Sequence, residues 1–245
     1  MNPSLLLLLA VCILAVAILY SSVGHGGASG YIAILALFSL APASFKPTAL
    51  VLNILVSAIA TFSFARAGHF SWSLFWPFAA TSIPFSFIGG SLNLPADVIK
   101  PLIGIVLLAS AVRLFSRKDY EDREGLPPST PVALVVGAAF GFMSGLTGVG
   151  GGIFLSPLLL LLKWAKAKEA SAVAALFILV NSVSGLLGHI SSLQAIPDFV
   201  PTLAAAALGG GITGSFYGSS RLHVSRIVNA LSLVLAIAGF KLLLA

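Results

Sequence analysis

Aspartate, glutamate, lysine and arginine are absent from residues 1–45, 67–96, 125–162, 170–197 and 199–220. About 20 consecutive apolar residues suffice to cross a bilayer as a helix. Only 13 Lys+Arg and 7 Asp+Glu occur in 245 residues, or 8% charged, against roughly 25% in an average soluble domain. So few charges cannot cover a water-exposed surface, which excludes a soluble enzyme or a nucleic-acid-binding protein. The net charge of +6 therefore reports membrane topology rather than a nucleic-acid partner. The charges that do occur are clustered. Eight of the 20 fall between Arg113 and Glu124, and four more between Lys163 and Glu169. The one cysteine, Cys12, lies inside an apolar run, so no internal disulfide or cysteine metal site can form. The first 20 residues have the apolar core of a signal peptide but no basic flank, and read as a retained first helix.

The pattern predicts an all-α polytopic membrane protein of 8–10 membrane helices. Candidate helices cover 5–22, 29–40, 47–66, 72–91, 96–115, 131–147, 153–162, 168–190, 198–219 and 224–244. Two glycine-rich breaks interrupt it, SSVGHGGASG at 21–30 and SGLTGVGGG at 144–152. The helix after the first break spans only about 18 Å, well short of a bilayer core of roughly 30 Å. The breaks mark an internal repeat. Gly24, Gly26 and Gly27 precede Gly148, Gly150 and Gly151 by 124 residues. Asn53 and Asn181, Gly90 and Gly218, and Leu94 and Leu222 are 128 apart, which assigns four extra residues to the Lys-rich connection 163–169. The chain then divides into a first repeat over 1–117, a cytoplasmic linker over 118–130 and a second repeat over 131–245.

The cations orient these repeats. If each break is the tip of a helical hairpin, ten cations share one side: Arg66, Arg113, Arg117, Lys118, Arg123, Lys163, Lys166, Lys168, Arg221 and Arg226. Lys46, Lys100 and Lys241 lie opposite. Continuous spans through the breaks give seven against six, with no bias. The positive-inside rule favours the first arrangement, with the ten in the cytoplasm of a cell-membrane (inner-membrane) protein and both termini outside. Two short spans in place of each hairpin give the same count. A hairpin plus three spans is an odd number of crossings, so the two repeats are expected to be inverted.

The breaks carry the candidate chemistry. Glycines permit sharp turns and close approach of backbone to a ligand. The helices that follow start near Ala28 and Gly152, with free N–H groups and a positive dipole end that suit an anion. Ser21, Ser22, Ser29, Ser144 and Thr147 can add hydroxyl donors. The plainer role of such glycines is close helix packing, which suits isolated ones such as Gly104 or Gly137. Two clusters in register across a repeat favour a site. The expected binding set is Ser21, Ser22, Gly24, His25, Gly26, Gly27, Ala28, Asn53, Ser144, Thr147, Gly148, Gly150, Gly151, Gly152 and Asn181.

His25 is the one titratable group in either break, with Val149 at its repeat position. It can donate to an anion, carry a coupling proton, or bridge helices. His69, His189 and His223 sit at helix ends and read as interfacial, as do Trp72, Trp76 and Trp164. Asn53 and Asn181 can contact substrate or join helices. Every carboxylate falls at a loop or a helix end, which disfavours carboxylate relays, cation sites and paired-carboxylate catalysis. No Gly-Lys-Ser/Thr follows either break, so no nucleotide loop is present.

The segments SSVGHGGASGYIAILALF and GFMSGLTGVGGGIFLSPLLLLL resemble the paired signature loops of the TauE/SafE family, the sulfite exporter or toluene-sulfonate uptake permeases. The tails fit as well: 68–72 precedes a span, and Gly214 and Gly218 precede the last helix. His25 departs from the commoner pattern of the first loop. The resemblance implies secondary transport of small anions, chiefly sulfite, sulfonates and related organosulfur anions such as sulfoacetate. An anion channel is the alternative, followed by an intramembrane enzyme, for which Ser144 has no evident base. No cofactor, metal or nucleic acid is expected. The partners are a small anion and the lipid bilayer, with a coupling proton and a homodimer left open.

Overall fold

The computed structural model describes residues 2–38, 40, 44–92, 95–115, 126–189 and 197–220, together with 232, 233, 236, 239, 240, 243 and 244. The expected helix 224–244 lies largely outside the described residues. So do most of the linker, the cations Arg117, Lys118, Arg123, Arg221, Arg226 and Lys241, His223, and the pair Leu94 and Leu222.

Among the described residues the protein forms α1 (Pro3–Ser21), α2 (Ala28–Leu37), α3 (Phe45–Arg66), α4 (Trp72–Ser91), α5 (Ala96–Phe115), α6 (Thr130–Thr147), α7 (Gly152–Leu161), α8 (Ala167–Gly188) and α9 (Val200–Ser220). The first nine expected helices are found, with ends displaced by at most three residues. α1 starts two residues early because Asn2 caps it and Pro3 sits at its first position.

Four helices, α1, α3, α6 and α8, are long and apolar enough to cross a membrane. α2 and α7 have 10 residues each and rise only about 15 Å. Both double back beside the helix before them. Gly30 lies against Val16 and Tyr20, and the rings of Phe140 and Phe154 are 5.6 Å apart. α4 and α9 are as long as the spanning helices but diluted by serine and glycine.

The distribution of side chains is that of a membrane protein. Leu8 is 55% exposed, Val135 71% and Phe216 59%, whereas Asn53, Ser57, Ser82, Ser144, Asn181 and Ser182 are fully buried. Apolar side chains face outward where water would not tolerate a patch of that size. Polar groups meet one another inside, where lipid cannot reach them.

Helices of one half pack mainly on helices of the other. α4 packs along α6 and α9 along α1; α4 also packs on α8 and α9 on α3; α3 and α8 meet between them. Glycine makes the closest of these approaches possible. Gly137, Gly141 and Gly145 of α6 rest on the backbone of Phe78, Ser82 and Ser86 in α4. Gly210, Gly214 and Gly218 of α9 rest on Leu14, Ile18 and Ser22 in α1. Steps of four match steps of four, so both pairs run parallel. α3 also runs parallel to α9: Val56 faces Gly211, and Ser63 Oγ lies 3.1 Å from Ser215 Oγ.

The repeat keeps a different register from the expected one. The connection from α7 to α8 (162–166) is shorter than that from α2 to α3 (38–44). The extra residues lie between α8 and α9 (189–199), against only 67–71 between α3 and α4. The bounds of α3 and α8 are therefore 122 residues apart, not 128. Ser57 Oγ donates to Asn53 O, and Asn181 Nδ2 donates to Phe177 O 2.7 Å away. The pairing of Asn53 with Asn181 that a 128-residue spacing gives therefore does not hold in these helices.

Candidate functional site

Each break is built from a helix stop and a helix start. α1 ends in a Schellman motif: Gly24, at φ +74°, is the left-handed residue, with Gly24 N–H on Ser21 O and His25 N–H on Tyr20 O. α6 ends in the simpler left-handed cap, with Gly148 at φ +74° donating to Ser144 O at 2.8 Å. Gly150 and Gly151 are also left-handed, at +85° and +75°. α2 and α7 then begin, and by position their first N–H groups lack an acceptor one turn back.

The two starts converge on one side chain. Asn53 Oδ1 lies beside Gly26 of the first break and accepts from Ala28 N–H at 3.2 Å. Asn53 Nδ2 lies beside Gly150 of the second break and donates to Ser182 Oγ at 2.8 Å. Ile178 closes the same space, against Gly26, Gly150 and Gly152. The breaks are therefore separated by about the width of one amide group. His25 joins them too: Nδ1 faces Val23 O at 3.0 Å, and the ring also hydrogen bonds to the backbone of Gly152.

The flanks are reciprocal. Gly24 rests on Ser171 of α8, and Gly148 on Lys46 of α3. A lysine also anchors each half near these flanks. Lys46 Nζ donates to Gly90 O near the end of α4 (3.3 Å), and Lys168 Nζ to Ser219 O near the end of α9 (3.2 Å). Cations complement carbonyl-rich helix C-termini.

Of the expected set, Gly26, Gly27, Ala28, His25, Asn53, Gly150, Gly151 and Gly152 line this meeting, and Ser144 reaches its edge beside Gly151. Gly24 and Gly148 form its flanks. Three hydroxyls are committed elsewhere: Ser21 to Gly210 O at 3.3 Å, Ser22 to Leu19 O at 2.6 Å and Thr147 to Met143 O at 2.7 Å. Asn181 joins α8 to α4 through Ser82 Oγ at 3.1 Å. Sequence reasoning missed Ser182, Tyr31 and Lys46. Ser182 follows Asn181 directly, and the wrong register drew attention to the neighbour. His189, expected at an interface, is 8% exposed and hydrogen bonds to the Gly90 backbone that also takes Lys46.

The lining carries no fixed charge: glycine backbone, the Asn53 amide, the Ser182 hydroxyl and Ile178 meet there, with His25 beside them. Among the described residues, no group of three His, Cys, Asp or Glu is placed to hold a metal ion.

Comparisons with known proteins agree on the kind of chain. The family described as Sulfite exporter TauE/SafE matches residues 8–242. A probable membrane transporter protein, y4hK, from Sinorhizobium fredii is 41% identical over 239 residues, covering 96% of this chain and 97% of its own. Another so named, YdhB from Bacillus subtilis, is 27% identical over 97% of this chain and 100% of its own. YjnA from the same organism is 29% identical over 90% and 92%. No solved structure matches the chain. With apolar helices turned outward, a buried polar interior and a family match over nearly its whole length, the chain is a membrane protein that belongs to the TauE/SafE sulfite exporter family.

Proposed function

We propose that this protein is a secondary transporter that moves a small sulfur-containing anion, of sulfite, sulfonate or sulfoacetate type, across the cell (inner) membrane. The observation that carries this reading is the convergence of the two breaks, at Gly26 and Ala28 and at Gly150, on the Asn53 amide. Two positive dipole ends beside a small polar gap stabilise an anion without a fixed cation. The family description and the relatives named as membrane transporters point the same way.

The two halves are inverted repeats, and rocking of one against the other gives alternating access. Helix directions support this. α1, α3 and α9 run one way. α4 follows α3 after residues 67–71, too few to return across a bilayer, so it runs the other way. α6 is parallel to α4. Equivalent helices α1 and α6 therefore point in opposite directions. Together with the cation count, this supports a topology with both termini outside the cytoplasm. His25 is the titratable group between the breaks and the candidate carrier of a coupling proton.

Two measurements test the reading. Purified protein in liposomes is offered sulfite, sulfoacetate, taurine and sulfate. Saturable uptake of a sulfur oxyanion, accelerated by the same anion inside, is the expected result. Flux that neither saturates nor counter-exchanges makes the protein a channel, and no flux of any of them overturns the proposal. For topology, cysteines replace Leu126 and Asp198, both exposed, in a Cys12→Ala background. Leu126→Cys is expected to label from the cytoplasm and Asp198→Cys from outside. The reverse pattern sinks the orientation.

A further inference from the structure

Two buried hydroxyls stand without a partner where the breaks meet. Tyr31 Oη and Ser144 Oγ make no hydrogen bond, and both residues are fully buried. Each lies beside the corresponding glycine of its break. The phenol end of Tyr31 covers Gly27, and the Cβ of Ser144 borders Gly151. Those glycines are 124 residues apart, the spacing of the repeat itself.

The helix geometry explains the placement. Side chains in a helix lean toward its N-terminus. Tyr31 lies one turn into α2, so its ring reaches back over the start of that helix, beside the Ala28 N–H that Asn53 Oδ1 accepts. Ser144 lies in the last turn of α6, and the left-handed cap at Gly148 brings the start of α7 back beside it. Neighbouring hydroxyls show what the ordinary outcome would be. Tyr20 Oη pairs with Ser29 Oγ at 2.9 Å, and Ser21, Ser22 and Thr147 all bond to backbone carbonyls. An interior hydroxyl with nothing to bond destabilises a fold. Thr48, Thr61 and Ser156 also carry unpaired hydroxyls, but Tyr31 and Ser144 are the two that lie beside glycines of the breaks.

We propose that Tyr31 and Ser144 are the side-chain donors for the transported anion, one from each break, each completing a helix N-terminus. The inference rests on the transporter reading and sharpens it. The chemistry selects an ion that presents at least two oxygens on one centre, so that both breaks can donate at once. Ligation from both halves also couples occupancy to their relative position.

The test is Tyr31→Phe and Ser144→Ala, each of which removes one oxygen. The probe is whichever of sulfite, sulfoacetate or sulfate the unaltered protein carries best. Loss of one hydrogen bond to a charged ligand is expected to raise KM roughly tenfold or more, and to abolish most of the rise in melting temperature that the anion produces. Without anion the melting temperature should hold or rise, because an unpaired buried hydroxyl is gone. Unaltered KM and unaltered anion-induced stabilisation in both variants overturn the proposal. So does a raised KM accompanied by a lower anion-free melting temperature, which marks a structural role. If the unaltered protein neither carries nor is stabilised by any of these anions, the transporter reading fails, and this inference with it.

Discussion

Gly150→Leu is expected to reduce anion uptake by about a hundredfold or more while leaving a folded, monodisperse protein. Two effects act together. Gly150 has φ +85°, a conformation that costs a residue with a side chain roughly 1–2 kcal/mol. Its Cβ would also press on Asn53 Nδ2, with Ile178 2.9 Å and Ser182 Oγ 3.1 Å away. The side chain would thus fill the gap between the breaks and push aside the amide that spans it. Gly26→Leu strikes the same amide from the other side, at Oδ1, without the backbone penalty. It is expected to fall nearly as far. Initial uptake rates in liposomes, normalised to protein that elutes as a single species, check both. A folded Gly150→Leu variant with an unaltered rate would remove the substrate from between the breaks.

The second large effect concerns assembly. Gly145→Leu is expected to destabilise the protein by about 3 kcal/mol or more, the upper range for overpacking a tight core, or to prevent its accumulation in the membrane. The Cβ would meet Ser86 O, with Gly90 N 2.7 Å away. Both are backbone atoms of α4, so no rotamer change relieves the clash, and the helices must separate. Gly209→Ala serves as the control. A Cβ there meets only Leu14 Cδ1, at 3.5 Å, and alanine is the better helix former, so stability should hold or rise slightly. Thermal unfolding in detergent compares the two. Equal melting temperatures would show that the α4–α6 contact does not hold the halves together.

These glycines explain how far the sequence could be read. Charge-free runs of bilayer length, ended by glycine and capped by residues such as Asn2, leave little freedom in where helices lie. Clustered glycines likewise reveal both breaks, because few other residues accept a left-handed backbone. Register was harder. Single matches such as Asn53 with Asn181 cannot show in which connection an insertion lies, and the helix bounds were needed to place it after α8. Tyr31 was illegible for another reason. An aromatic within an apolar helix looks like packing until the ring is seen leaning over Gly27. Serines were ambiguous in the same way. Ser21, Ser22, Ser144 and Thr147 have the same chemistry on paper, and only the fold shows that Ser21 is taken by α9 and Ser22 and Thr147 by carbonyls one turn back, leaving Ser144.

The parallel pairing of α1 with α9 and of α4 with α6 has a consequence for how the chain is made. The first helix to leave the ribosome finds its main neighbour only when a segment beginning at Val200 arrives. Until then the backbone faces of Leu14, Ile18 and Ser22 have only lipid or the insertion machinery beside them. Assembly of this kind is dominated by contacts between distant parts of the chain, which makes it slow. Neither half is a self-sufficient unit: each lends its opening helix to the other.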